Sequence, residues 1–255
     1  MTANTARIAI AEPVQWGQVV AAAALRSQSQ LIQPKQSRSR DRHAEILEAA
    51  VRVFAREGIA QSRISDIAAE AGVPLSSVYD YYSSKESIAY VVPISRMREF
   101  IVEFQSKAAK RQQAAERLYL FMWLTVDFAR RNQDWARTLY LEVWPSVMVN
   151  KTRVKDSLDD YARVMLALIQ DGERTGEWTI DGDLYETFTI FIGSLSQLII
   201  TWLMYKRPGH LMKATVSIVR RLMASQLKPA VPSGASVAPR ASAVRRANLS
   251  RTPSA

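Results

Sequence analysis

The chain has 255 residues, no cysteine, two histidines and a formal net charge of +10. Disulfides and thiolate metal sites are excluded, and His43 and His210 lie too far apart in sequence to form a dense ligand cluster. The charge invites a nucleic-acid reading, but residues 1–40 carry +4 and residues 228–255 carry +5, which leaves +1 for 41–227. A high isoelectric point therefore says little about specific DNA binding, and a few well-placed side chains have to carry that claim.

In chain order, residues 1–37 are rich in Ala, Gln and Ser and read as a flexible basic arm. Within it, Val19 to Leu25 is too short to span a bilayer and lacks the basic lead of a signal peptide; a short amphipathic helix or disorder fits it. Helical periodicity then dominates. Asp41 is placed to cap a helix over 41–57, with Ile46, Leu47, Ala50, Val51 and Phe54 on one stripe and Gly58 at its end. Short helices follow at 64–71 and 75–81, then a longer one over 84–110 with a kink or break expected at Pro93. Further helices are expected at 112–131, 134–148, 151–175, 182–206 and 210–227, separated by turn signals such as Asp181-Gly182-Asp183 and Pro208-Gly209. Convincing alternating strands are absent, so the chain is read as all-α. The Pro-, Ser-, Ala- and Arg-rich residues 229–255 have too little apolar surface to offset the entropy of ordering and read as a disordered basic tail.

The most informative stretch is 58–88, GIAQSRISDIAAEAGVPLSSVYDYYSSKESI. In a helix-turn-helix the first helix braces the second, whose N-terminal residues enter the major groove. Ile64, Ile67, Ala68, Ala71, Val73 and Val78 supply the brace, and Gly72 the turn. Pro74, Leu75, Ser76 and Ser77 form a slim leading edge. Tyr79, Tyr81 and Tyr82 offer hydroxyls, and Lys85 a charge, for phosphates. Lys35, Arg38, Arg40 and Arg42 precede the first helix, where they fit either a phosphate or minor-groove contact or a solvated charge run.

Over about residues 41–88 the sequence resembles the TetR family of bacterial transcriptional regulators, through Ile46, Leu47, Ala50, Phe54 and Gly58, then Ile64, Asp66, Ile67, Ala68, Ala71, Gly72 and Val73. The match continues with Val78, Tyr79, Tyr81, Tyr82, Ser84, Lys85, Glu86 and Ile88. It departs from the family at Arg63, where Thr is usual; either Ser62 caps the second helix from one residue earlier or Arg63 contacts phosphate by charge. Ser76 stands where Gly is frequent, Tyr82 where Phe is, and Pro74 suits a first helical position. The DNA-contact set is thus Arg40, Arg42, Ser62, Arg63, Pro74, Leu75, Ser76, Ser77, Tyr79, Tyr81, Tyr82 and Lys85, in a domain spanning 38–88.

The resemblance implies that residues 89–228 form a helical domain that binds a small ligand and dimerises. The run 187–205 is uncharged and, as a helix, about 28 Å long, close to a membrane span. Its small and polar residues favour a helix buried in the core and against a partner subunit, with Leu195, Leu198, Ile199, Trp202, Val216, Val219 and Leu222 as the interface. The aromatic residues Trp123, Phe128, Trp144, Tyr161, Phe188 and Phe191 are of the kind that lines an apolar cavity. No phosphate loop, nucleophile elbow or metal-binding pair appears, so no catalytic residue, cofactor or metal is expected. The function expected is a cytoplasmic, homodimeric transcriptional repressor on a near-palindromic double-stranded operator, released by a small apolar or aromatic effector. The alternatives are an activator or ligand-independent regulator of the same fold, a membrane-associated helical protein anchored by 187–205, and a non-specific binder held by its basic ends.

Overall fold

A computed structural model of the chain describes residues 15–30, 37–146, 154–180 and 182–229. In order they form α1 (Trp16–Gln30), α2 (Ser37–Glu57), α3 (Ile64–Ala71), α4 (Leu75–Tyr79), α5 (Lys85–Ala108), α6 (Ala114–Arg131) and α7 (Gln133–Arg137), the last running into a π-helical segment, Thr138–Val143. There follow α8 (Val154–Arg174), strand β1 (Trp178–Ile180), α9 (Leu184–Tyr205), α10 (Leu211–Gln226) and strand β2 (Leu227–Pro229).

The head is built from α2, α3 and α4. Ile46, Ala50, Val53 and Phe54 are buried along one stripe of α2, as a 3.6-residue period requires. Gly58 ends α2 at φ +79°, donating its N–H to the Phe54 carbonyl at 2.9 Å. Gly72 ends α3 in the same way at φ +66°, with its own N–H on Ala69 and that of Val73 on Ala68. A left-handed cap of this kind suits glycine, which has no Cβ to clash. The start of α2 lies at Ser37, so Asp41 is inside the helix rather than its cap.

The body is a bundle of α5 to α10. Helix α5 runs through Pro93 without a break, where the sequence led us to expect a kink or break. Val92, Pro93, Ile94, Met97, Phe100 and Phe104 are all buried, and this packing offsets the hydrogen bond that proline cannot make. Rings fill the centre: Phe100 lies edge-on to Phe121 and Phe128, and Phe121 is 4.9 Å from Tyr161.

Two further features go beyond the sequence reading. Trp16–Gln30 lies within the stretch read as a flexible arm, where Val19 to Leu25 also fitted a short amphipathic helix; it is a helix packed on α5 and α8, with Val20 and Ala23 buried. A small antiparallel sheet also forms, pairing Trp178 with Pro229, Thr179 with Lys228 and Ile180 with Leu227. Strands of three residues are too short to show alternation in a sequence. They hold the end of α10 beside α8, where the Trp178 ring presses on Gly172 and its indole N–H donates to the Ile169 carbonyl.

Helix α9 is capped by Asp183, whose carboxylate accepts from the N–H groups of Tyr185 and Glu186. By length and composition it is long and apolar enough to cross a membrane, but Phe191, Leu195, Ile199 and Leu203 are buried in the bundle.

Candidate nucleic-acid interface and effector cavity

The short α4 divides its residues between two faces. Pro74, Leu75, Ser76 and Tyr79 are exposed, with Leu75 41% and Tyr79 52% accessible despite their apolar bulk. Ser77, Val78 and Tyr82 point into the head and are buried. Pro74 is the N-cap residue, so Leu75 rather than Pro74 takes the first helical position. The outward set is an exposed edge of the kind that approaches DNA.

Several expected phosphate contacts are committed inside the head. The Tyr82 hydroxyl shares a 2.6 Å hydrogen bond with His43 Nε2, and the two rings stack at 5.6 Å. Burial pushes the tyrosine up and His43 down from their ordinary pKa values, so both are neutral near pH 7. Tyr81 is half-buried with its ring 5.5 Å from His43. Ser62 is buried, and its hydroxyl donates to the Ile59 carbonyl at 3.0 Å instead of capping α3. The start of α3 is secured by Asp66, whose carboxylate accepts from the Arg63 N–H at 2.9 Å. That leaves the exposed Arg63 side chain with no capping duty. The Lys85 ammonium donates to the carbonyls of Ala60 and Ser62, both at 2.8 Å, and so pins the loop between α2 and α3. Arg42 is exposed on α2, and the Arg40 side chain lies outside the described residues.

Four arginines join the head to the body and its parts to each other. Arg52 and Arg56 of α2 reach Glu70 of α3, whose carboxyl is held below the usual range chiefly by its hydrogen bond with Arg52. Arg96 of α5 reaches Glu48 of α2 at 2.6 Å. Arg137 of α7 donates to the Ala55 carbonyl near the end of α2 and to the Leu203 carbonyl near the end of α9. Nothing in the sequence near Arg137 marks it, because its partners are backbone oxygens 82 and 66 residues away.

Inside the body a cavity is walled by Met97 and Phe100 of α5, Thr125 and Phe128 of α6, and Trp135, Leu139, Tyr140 and Trp144 of the α7 and π-helical segment. Leu158 and Tyr161 of α8 and Ile192 of α9 close it. Of the six pocket residues read from sequence, Phe128, Trp144 and Tyr161 line it. Phe191 is core, Phe188 lies half-buried elsewhere on α9, and Trp123 lines a separate open groove with Tyr119 and Arg220. Polar chemistry is sparse. The Tyr161 hydroxyl is 2.7 Å from Thr125 Oγ1, which donates to the Phe121 carbonyl, so Tyr161 is the donor between them. Burial pushes the Tyr161 and Tyr140 hydroxyls up, and both stay protonated. The Trp135 indole N–H is buried and has no hydrogen-bond partner among the described residues. The void measures only about 20 Å³. Room for a drug-sized ligand is about 300–1,000 Å³, so these walls must part to admit one.

The residues read from sequence as a subunit interface fall into two groups. Leu195, Leu198, Ile199 and Val219 are buried in the chain's own core, while Trp202, Val216 and Leu222 are half-buried. A helix apolar on nearly every side gives no sequence signal for which stripe faces inward. The outward stripe of α9 is instead Thr189, Ile190, Gly193, Gln197 and Met204.

The exposed edge of α4, braced by α3 across the Gly72 turn, defines a helix-turn-helix DNA-binding protein. Residues 46–90 match the family described as "Bacterial regulatory proteins, tetR family", and residues 94–225 match "YsiA-like protein, C-terminal region". The chain belongs to the TetR family of DNA-binding transcription regulators. The fatty acid metabolism regulator protein of Bacillus subtilis is 24% identical over 184 residues, which is 72% of this chain and 95% of that protein. The transcriptional repressor SCO4008 of Streptomyces coelicolor is 29% identical over 133 residues, 52% of this chain and 65% of that one. Among solved structures, FadR from Bacillus subtilis in complex with stearoyl-CoA superposes with a TM-score of 0.67 at 24% identity, covering 71% of this chain and 98% of that chain. FadR from Bacillus halodurans gives 0.68 at 21% identity, covering 75% of this chain and 97% of that chain.

Proposed function

We propose that the chain is a cytoplasmic, homodimeric repressor released from its operator by a small apolar effector that enters the body cavity. The observation that carries this reading is the cavity itself: a small, ring-lined space whose walls include α5, the helix that also carries Lys85 behind the DNA-reading turn. Opening it moves α5, and a ligand shifts the head only insofar as it binds the opened state better. The stearoyl-CoA held by the Bacillus subtilis relative makes a long acyl thioester the first effector to test. Its greasy chain suits walls of Met97, Phe100, Leu139, Leu158 and Ile192.

We assign the dimer to the outward stripe of α9, with α10 beside it; two reading helices on successive major grooves would stand about 35 Å apart. The DNA contacts are assigned to Arg42, Arg63, Pro74, Leu75, Ser76 and Tyr79, with Tyr81 at the margin. The full chain should select a near-palindromic duplex from a random library, and stearoyl-CoA should release it. Tyr79→Ala should weaken that binding by about 5- to 100-fold. Selection of no consensus would overturn the operator reading. Release by no acyl-CoA of any chain length would overturn the effector reading. Recovery of the protein in membranes would favour an anchor role for α9.

A further inference from the structure

Both family matches begin at residue 46 or later, so α1 lies outside the matched residues. It lies across α5 and α8, two of the cavity's walls. One end is fixed to α5 and α6: the Trp16 ring sits edge-on to Phe104 at 6.4 Å, with the Arg117 guanidinium 5.1 Å above it. The other end is fixed to α8: Arg26 reaches the buried Asp160 at 2.7 Å. Val20 and Ala23 are fully buried between these points. Beneath Trp16 a continuous run of rings leads inward, from Phe104 to Phe121 at 5.0 Å and on to Tyr161 of the cavity wall at 4.9 Å.

A helix docked on two others resists their separation, because parting them exposes its buried residues or breaks its terminal contacts. The void of about 20 Å³ can accept a ligand only if its walls part. We propose that α1 is an intramolecular strap that holds the seam between α5 and α8 shut, and so raises the effector concentration needed to open the cavity and release DNA. The consequence for DNA rests on the effector reading above; the strap itself does not.

The absence of cysteine allows a single reporter thiol. Leu139→Cys places one on the cavity wall at a position 2% exposed in the native protein. Its rate of labelling by a small maleimide in the full-length chain measures how often the walls part, with no effector present. Adding Val20→Asp should speed labelling at least about tenfold, and adding Arg26→Ala about threefold, as expected when closed-state contacts are removed. Amide exchange in α3 and α10 should stay unchanged in both. If Val20→Asp fails to fold, Arg26→Ala, with its half-exposed side chain, decides the matter alone. An unchanged labelling rate in a folded strap variant overturns the proposal. Faster labelling in a protein that still ignores acyl-CoA sinks the effector reading and leaves the strap standing.

Discussion

Lys85→Ala separates two roles for one residue. A lysine that neutralises a phosphate contributes to the salt dependence of DNA binding, and its removal lowers the slope of log affinity against log salt by about 1. In this structure the ammonium is engaged with the Ala60 and Ser62 carbonyls at 2.8 Å each. Hydrogen bonds to a charged group contribute roughly 1.5–3 kcal/mol each. The bond to Ala60 is exposed, and water replaces it at little cost, so the partly buried bond to Ser62 sets the loss at about 1.5–3 kcal/mol. At about 2–4 °C per kcal/mol, the unfolding midpoint should fall by roughly 3–12 °C. Calorimetry on the variant, paired with DNA titrations at several salt concentrations, reads both quantities. The expected result is a lower midpoint, weaker binding through a displaced α2–α3 loop, and an unchanged salt slope. Native stability with a slope reduced by one would refute the reasoning and return Lys85 to the phosphate backbone.

Other outcomes follow from the same structure. Tyr82→Phe strands the buried His43 ring nitrogen and should cost about 1–3 kcal/mol in urea unfolding. Because burial lowers the His43 pKa, the unfolded chain binds more protons below about pH 6.5; stability is full above that value and declines as pH falls through it. His43→Gln should flatten that decline in melts run from pH 7.5 to 5. Gly193→Glu meets no atom within 4 Å of its new Cβ, so the subunit should fold normally but sediment as a monomer if α9 forms the dimer. A dimer surviving this change places the interface elsewhere. Gly172→Ala drives its Cβ to 1.9 Å from the Trp178 ring and should cost about 1–3 kcal/mol or more, read as a lower melting temperature.

The head was legible in the sequence because each step of its construction leaves a local mark. Gly58 and Gly72 punctuate helices whose apolar stripes repeat within ten residues, and α3 runs Ile64–Ala71, as its periodicity indicates. The allocation of side chains to faces was less legible. Tyr79 and Tyr82 are alike in sequence, and one turn of helix sends the first to solvent and the second to His43, 39 residues back. In the body, periodicity located α9 but could not tell its core stripe from its outer one. The docking of α1 was hidden for the same reason: alanine suits both a helix and an arm, and its partners Phe104, Arg117 and Asp160 are far along the chain.

Arg137 gives the head a reference point. By bonding the Ala55 carbonyl and the Leu203 carbonyl with one guanidinium, it sets the position of α2 against the far end of α9. In the proposed dimer, with α9 on the two-fold axis, Arg137 refers each head to that axis, and any error would enter the spacing between heads twice. DNA repeats its groove about every 34 Å, so the fit between the heads and an operator is a measurement of length. Arg137 also follows Trp135 of the cavity wall by two positions, so under the proposed function an effector that parts the wall would act beside the residue that holds this measure.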